Sequence, residues 1–195
     1  MKKNILVLGA LALTASAAFA SPAHGNFYAG AGLGWASMSK ALADSVFSEE
    51  GTIAGRTGMA ARVHFGYMLP VSHMSQVGAE VGYTHFPDVK KTTNHDLPVT
   101  YKLKSYGLDM LAVAKFNVTD TMSLFAKAGF IQLNRAKHVD PVTKLSSVFG
   151  EAALGVGYTV MPNLDATLTY AHVFDHGGEY RNNSVLAGFC YCFNV

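Results

Sequence analysis

From Phe27 the chain alternates between apolar residues and small or polar ones. Phe27, Ala29, Ala31, Leu33 and Trp35 form one set, and Tyr28, Gly30, Gly32 and Gly34 fall between them. A period of two sends successive side chains to opposite faces of an extended strand, so this segment predicts a strand with one apolar face. The same period returns over 61–69, 77–83, 108–116, 124–130, 152–160, 164–170 and 185–193, which predicts eight strands in all.

The interleaved positions carry a different chemistry. They hold Arg62, His64, Glu80, Asp109, Lys115, Lys127, Glu151, Asp165 and Thr167 among many glycines, while Leu111, Val113, Phe125 and Ile131 break the rule on that face. Connections alternate as well. Residues 70–74, 117–121 and 161–163 are tight, whereas 40–57, 87–104, 135–147 and 175–183 are long and polar. Short turns at one end and long loops at the other describe an all-β, eight-stranded antiparallel up-and-down transmembrane β-barrel.

A soluble lipocalin would share the strand number and the period, and charge placement separates the two. Past residue 20, seven charged groups fall on the second face, Asp120 lies in a short turn and the remainder lie in the long loops or at their bases. None falls within the apolar sets. A water-facing exterior would carry many charges, so the apolar face is expected to meet lipid and the sparsely charged face to line the lumen. Eight strands close around an interior just wide enough for side chains to fill. Arg62, Lys115 and Lys127 are then expected to pair with Glu80, Asp109, Glu151 and Asp165 as a polar plug, because unpaired buried charge is prohibitive. Arg62 and Glu80 stand on neighbouring strands within reach of each other. A wide diffusion pore is not expected.

Composition agrees with a membrane barrel. Charged residues make up 14% of the chain, against about 25% in soluble domains, and Gly 19, Phe 12 and Tyr 9 are high counts beside one Trp. The first twenty residues read as a secretory signal, with Lys2 and Lys3, an apolar run from Ile5 to Leu13, and Ala18-Phe19-Ala20 as the cleavage pattern. The expected organisation is a signal peptide over 1–20 and one barrel domain over 21–195. Cleavage would leave 13 basic and 13 acidic groups, so the basic character belongs to the signal and implies no nucleic-acid partner. No remaining stretch is long and apolar enough for a transmembrane helix. Cys190 and Cys192 are the only cysteines, spaced two apart in one predicted strand, with Cα atoms roughly 6.6 Å apart at the edge of disulfide geometry. They are expected to stay reduced, side by side in a packed interior.

The residues 26–35 (Asn26-Phe27-Tyr28-Ala29-Gly30-Ala31-Gly32-Leu33-Gly34-Trp35), Tyr106-Gly107-Leu108-Asp109, Leu124-Phe125-Ala126-Lys127-Ala128-Gly129 and Gly155-Val156-Gly157-Tyr158 with Met161-Pro162-Asn163-Leu164 resemble the OmpA-like eight-stranded outer-membrane barrel family. The resemblance implies export across the inner membrane and residence in the outer membrane of a Gram-negative envelope. It also implies contact with outer-membrane lipid and lipopolysaccharide, and handling by the barrel assembly machinery. OmpA-type barrels carry a basic residue inside the seventh strand, where this chain has Thr167 and Thr169. Many of them add a peptidoglycan-binding domain, and none is expected within the run to Val195. Their last strand ends in an aromatic residue; here Phe193 is followed by Asn194 and Val195.

Some barrels of this size act on lipid A, through a His-x-Ser pair in the deacylase type. The one such triplet, His73-Met74-Ser75, falls in a short periplasmic turn, away from the outer leaflet. His85, His95, His138, His172 and His176 gather near the long-loop end without a compact ligand spacing. No catalysis, cofactor or metal is expected from these residues. Asn182-Asn183-Ser184 matches a glycosylation acceptor by letter only. The loops have a clear sign: Lys90, Lys91, Lys102, Lys104, Arg135, Lys137 and Lys144 stand against Asp88, Asp96 and Asp140. Neighbouring loops would add their fields and attract phosphate or sulfate. The sequence therefore reads as a non-catalytic, envelope-structural barrel with surface loops. An adhesin for host glycans or proteins is the alternative, and a lipid A-modifying barrel a more distant one.

Overall fold

The structure, a computed structural model, describes residues 25–38, 51–54, 57–93, 100–137, 143–174 and 181–193. Every described element in it is a strand: β1 (Asn26–Met38), β2 (Gly51–Ala54), β3 (Thr57–Pro70), β4 (Ser75–Thr93), β5 (Thr100–Asn117), β6 (Met122–Lys137), β7 (Thr143–Met161), β8 (Leu164–Phe174) and β9 (Arg181–Phe193). Each barrel strand pairs antiparallel with its sequence neighbour, and β1 pairs with β9 to close the ring. Eight strands make the barrel, as the alternation predicts. Closure leaves no free edge within the barrel wall, which is how a sheet satisfies its backbone in lipid. The signal segment lies outside the described residues.

Two features depart from the predicted layout. β2, inside the first long connection, pairs with the outer end of β4, with Ile53 opposite Lys91. The second and third connections are also shorter than predicted, because β4 runs on to Thr93, β5 starts at Thr100, β6 reaches Lys137 and β7 starts at Thr143. Val89, Thr92, Thr93, Thr100 and Tyr101 suit a pleated sheet, and that propensity extends the strands through sequence that polarity alone assigns to loops. A register shift between Phe86 and Val89 absorbs Pro87, whose ring cannot donate to the ladder.

The described strands end at different heights on the long-loop side. β7 pairs with β6 up to Thr143 opposite Lys137, yet its register with β8 stops at Gly150 opposite Phe174. Among the described residues, strands β4 to β7 run further past the charged layer than β8, β9 and β1.

The outer face carries the predicted apolar sets, with Trp35, Met110 and Leu154 at 62%, 65% and 64% exposure. A continuous apolar exterior of this kind fits hydrocarbon and not water. Aromatic rings gather toward its two edges. Phe27 stacks on Phe65 and tilts against Tyr67 near the short turns, and Tyr83 meets Tyr106 toward the long loops.

Inside, the side chains form layers. Ala36, Met38, Ala60, Phe86, Ile131, Leu133, Phe149, Val173 and Leu186 make an apolar cap at the outer end. A charged layer lies beneath it. Tyr28, Met68 and Val113 form a smaller apolar cluster on the periplasmic side. The exceptions to the alternation have their reason here: Ile131 belongs to the cap, Val113 to the lower cluster, and Leu111 is fully buried.

Candidate functional site

The charged layer is built from alternate residues of five strands. Arg62 on β3 is its centre. One guanidinium nitrogen, Nη2, donates to Glu80 Oε1 on β4 at 2.9 Å and to Asp109 Oδ1 on β5 at 2.7 Å. The other, Nη1, donates to Glu151 Oε1 on β7 at 3.3 Å. In the ring order β7 stands diametrically opposite β3, so this last bond spans the whole lumen. Lys127 on β6 donates to both oxygens of Glu80, at 2.9 and 2.7 Å. The Tyr28 hydroxyl adds a bond to Glu80 Oε2 at 2.9 Å, and His64 Nε2 lies 3.8 Å from the same oxygen.

Space for this layer comes from a missing side chain. A Cβ at Gly82 would sit 2.7 Å from both Arg62 Nη2 and Asp109 Oδ1. Glycine there lets the guanidinium and carboxylate meet against the wall.

A second ion pair lies toward the periplasmic end. Lys115 on β5 donates to Asp165 Oδ2 on β8 at 2.8 Å, and Thr159 donates to the other oxygen at 2.8 Å. The structure thus gives all seven lumen residues read from the sequence at least one charged partner. Tyr28, His64, Thr159 and Gly82 were not singled out as contributors. Tyr28, His64 and Gly82 share the interior phase of the alternation, and that phase is the signal that would have found them.

The interior is not packed throughout. A cavity of about 120 Å³ lies below the charged layer, lined by Tyr28, Met68, Val113, Phe125, Lys127 and both cysteines among others. Cys190 and Cys192 are free thiols facing this space. Their expected packed surroundings are replaced by a half-open chamber, because Gly157 and short polar residues, including Ser123, Thr167 and Thr169, do not fill the lumen at this level.

Of the seven basic rim residues, Lys104 is exposed on β5, and the side chains of Lys90, Lys91, Lys102, Arg135, Lys137 and Lys144 lie outside the described residues. Their backbones do belong to one sheet. Lys90 is opposite Lys102, Ser105 opposite Arg135, Leu103 opposite Lys137 and Ala136 opposite Lys144. Strand extension therefore replaces separate loops as the frame that gathers them.

His73 lies in the turn between β3 and β4, where the Ser72 hydroxyl accepts from the Met74 and Ser75 amides at 3.2 and 3.0 Å. His172 meets Asn183 on the outer surface; His95, His138 and His176 lie outside the described residues. Asn182 and Ser184 are buried in β9, and Asn183 accepts a bond from the Tyr170 hydroxyl at 2.9 Å.

Several solved structures share this architecture. The attachment invasion locus protein Ail of Yersinia pestis, in complex with the heparin analogue sucrose octasulfate, superposes with a TM-score of 0.58 at 13% identity, covering 87% of this chain and 99% of Ail. The outer membrane protein OprG of Pseudomonas aeruginosa gives 0.60 at 10% identity, covering 89% and 98%. Neisserial surface protein A gives 0.53 at 18% identity, covering 86% and 97%. At such identities the likeness is one of fold. No curated protein matches the chain by sequence. The family model of the outer membrane protein beta-barrel domain matches residues 5–193, nearly the full length, and the chain belongs to that family.

Proposed function

We propose that the protein is a non-catalytic structural barrel of the outer membrane, braced across its lumen and presenting a basic rim at the cell surface. The observation that carries this reading is the Arg62–Glu151 bond, which ties opposite walls together beneath an apolar cap. A lumen filled this way serves rigidity and not the passage of solutes. Residues 1–20 act as the export signal, the barrel assembly machinery inserts the remainder, and lipid and lipopolysaccharide surround it. In a planar bilayer the purified barrel is expected to give no steady conductance. Porin-like steps from the wild-type chain would overturn the scaffold reading.

A second reading rests on the rim. Seven basic residues share one four-stranded sheet, with Lys90 directly opposite Lys102. Like charges in such a register repel each other and are relieved by a bound polyanion. The fold neighbour Ail has been solved with a sulfated sugar, which supports a host-glycan role here. Replacing Lys90, Lys91, Lys137 and Lys144 by Gln is expected to weaken heparin binding and flatten its salt dependence, since exposed charges are screened beyond roughly 8 Å at physiological ionic strength. Unchanged binding in that variant, at matched expression, would remove this reading and leave the scaffold alone.

A further inference from the structure

Beside the ion pairs, the lumen holds one pair of groups that the structural role does not use. Cys190 and Cys192 lie two apart on β9, on the same inward face. Pairing fixes them there. Cys190 is opposite Gly30 on β1 and Asp165 on β8, Cys192 is opposite Tyr28, and the Cys192 amide donates to the Asn163 carbonyl at 2.8 Å.

This backbone allows the thiols to cooperate and strains any bond between them. Same-face positions on a strand are separated by about 6.6 Å, whereas a disulfide wants Cβ atoms about 3.8 Å apart. Oxidation to an internal disulfide would therefore pull the two residues together against the ladder on both sides of β9. The thiols nonetheless share one face of β9 and line one cavity. Two sulfur ligands at about 2.3 Å from one metal stand roughly 3.8–4.6 Å apart, against the ~2.05 Å of a disulfide bond, so same-face thiols can share an ion at a separation that a disulfide cannot span.

The surroundings select the ion. Among the described residues no three His, Cys, Asp or Glu side chains cluster as metal ligands, which disfavours an ion that demands four such donors. The thiols pack instead against Tyr28, Met68 and Val113, a cluster that adds a thioether sulfur. Apolar walls disfavour a strongly hydrated ion, and sulfur donors favour a soft one. Lys115 and Lys127 line the same cavity, placed to offset the negative charge of a dithiolate complex.

Access is from the periplasm. A wider recess of about 680 Å³ is lined by turn residues Val118, Thr119, Asp120 and Pro162, and it reaches Cys192. Cys192 lines both spaces and stands at the neck between them.

We propose that Cys190 and Cys192 form a periplasm-facing dithiolate site for a soft monovalent cation of the Cu(I) class. Binding releases two protons and forms two metal–sulfur bonds, with no change of oxidation state at sulfur or metal.

The test uses the full mature barrel folded in detergent without oxygen and titrated with Cu(I) held by a colorimetric chelator. One equivalent is expected to transfer to the wild type. Cys190→Ser and Cys192→Ser are each expected to lower the affinity by at least ~100-fold, because the second sulfur is presented at millimolar or higher effective concentration. Heat-modifiable gel migration establishes that each variant is folded. Should a serine variant fail to fold, X-ray absorption of the loaded wild type decides the matter: sulfur neighbours alone support the site, and a shell of nitrogen or oxygen overturns it. No transfer to the wild type, equal affinity in the single variants, or an internal disulfide in freshly isolated protein would each overturn the proposal.

Discussion

Replacing Arg62 by Met removes the one guanidinium that three carboxylates share. Its side chain is 8% exposed, and those of Glu80, Asp109 and Glu151 are 0%, 0% and 3% exposed. Glu80 keeps Lys127 when Arg62 is lost, at 2.7 Å, whereas Asp109 and Glu151 lose the cation that binds them directly. Breaking a buried pair from one side costs about 3–5 kcal/mol, and two stranded carboxylates place Arg62→Met at the upper end of that range. The triple variant Arg62→Met, Asp109→Asn, Glu151→Gln removes the arginine together with the two partners that depend on it, and leaves Glu80–Lys127 whole. It is expected to recover most of the loss. A double-mutant cycle between Arg62 and Glu80 should give a smaller coupling, about 0.5–3 kcal/mol, because Lys127 buffers Glu80. The assay is reversible urea unfolding of the barrel in lipid vesicles, followed by tryptophan fluorescence of Trp35. A triple variant no more stable than Arg62→Met alone would refute the account of a single shared guanidinium.

Two further outcomes test the faces of the wall. Leu154→Arg, on the lipid side at 64% exposure, should cost roughly 2–4 kcal/mol at the midplane and sharply lower the heat-modifiable folded fraction in vesicles; normal assembly would reverse the face assignment. Gly82→Ala places a methyl group 2.7 Å from Arg62 Nη2 and should cost about 1–3 kcal/mol in the same unfolding assay. An unchanged urea midpoint there would mean that the guanidinium does not lie against that wall.

The alternation made the strands, their faces and the membrane setting legible because a lipid-facing wall admits almost no charge. It also made the Arg62–Glu80 neighbourhood legible, since adjacent strands of an up-and-down barrel must pair. What it could not give is the stagger at which the ring closes. Glu151 reaches Arg62 across the full lumen, and Lys127 reaches past β5 to Glu80; both contacts follow from that stagger and not from any local pattern. Of the cap residues Phe86, Ile131, Leu133 and Phe149, only Ile131 stands out in the sequence, as an exception to polarity. The extensions of β4 to β7 were hidden because residues 87–104 are polar, and polarity names a solvent without naming a backbone. The chamber beside Cys190 and Cys192 was hidden for a related reason: counting strands bounds the average lumen and says nothing about where small residues thin it.

The seam between β1 and β9 bears on how the ring forms. Other barrel neighbours follow each other along the chain, but Phe27 meets Phe193 and Met38 meets Asn182, at about 150 residues' separation, the slow kind of contact in folding. Hairpins from β1 to β9 can zip in order of synthesis, whereas the other edge of β1 must wait for β9. Its partner carries Gly188 directly opposite Gly32, so the last contact to form is one where two backbones approach with no side chain to fit first. Closure of this protein is then a late, rate-setting event at a glycine-lined join, and conditions that slow folding should accumulate an open sheet in which β1 is paired with β3 and not yet with β9.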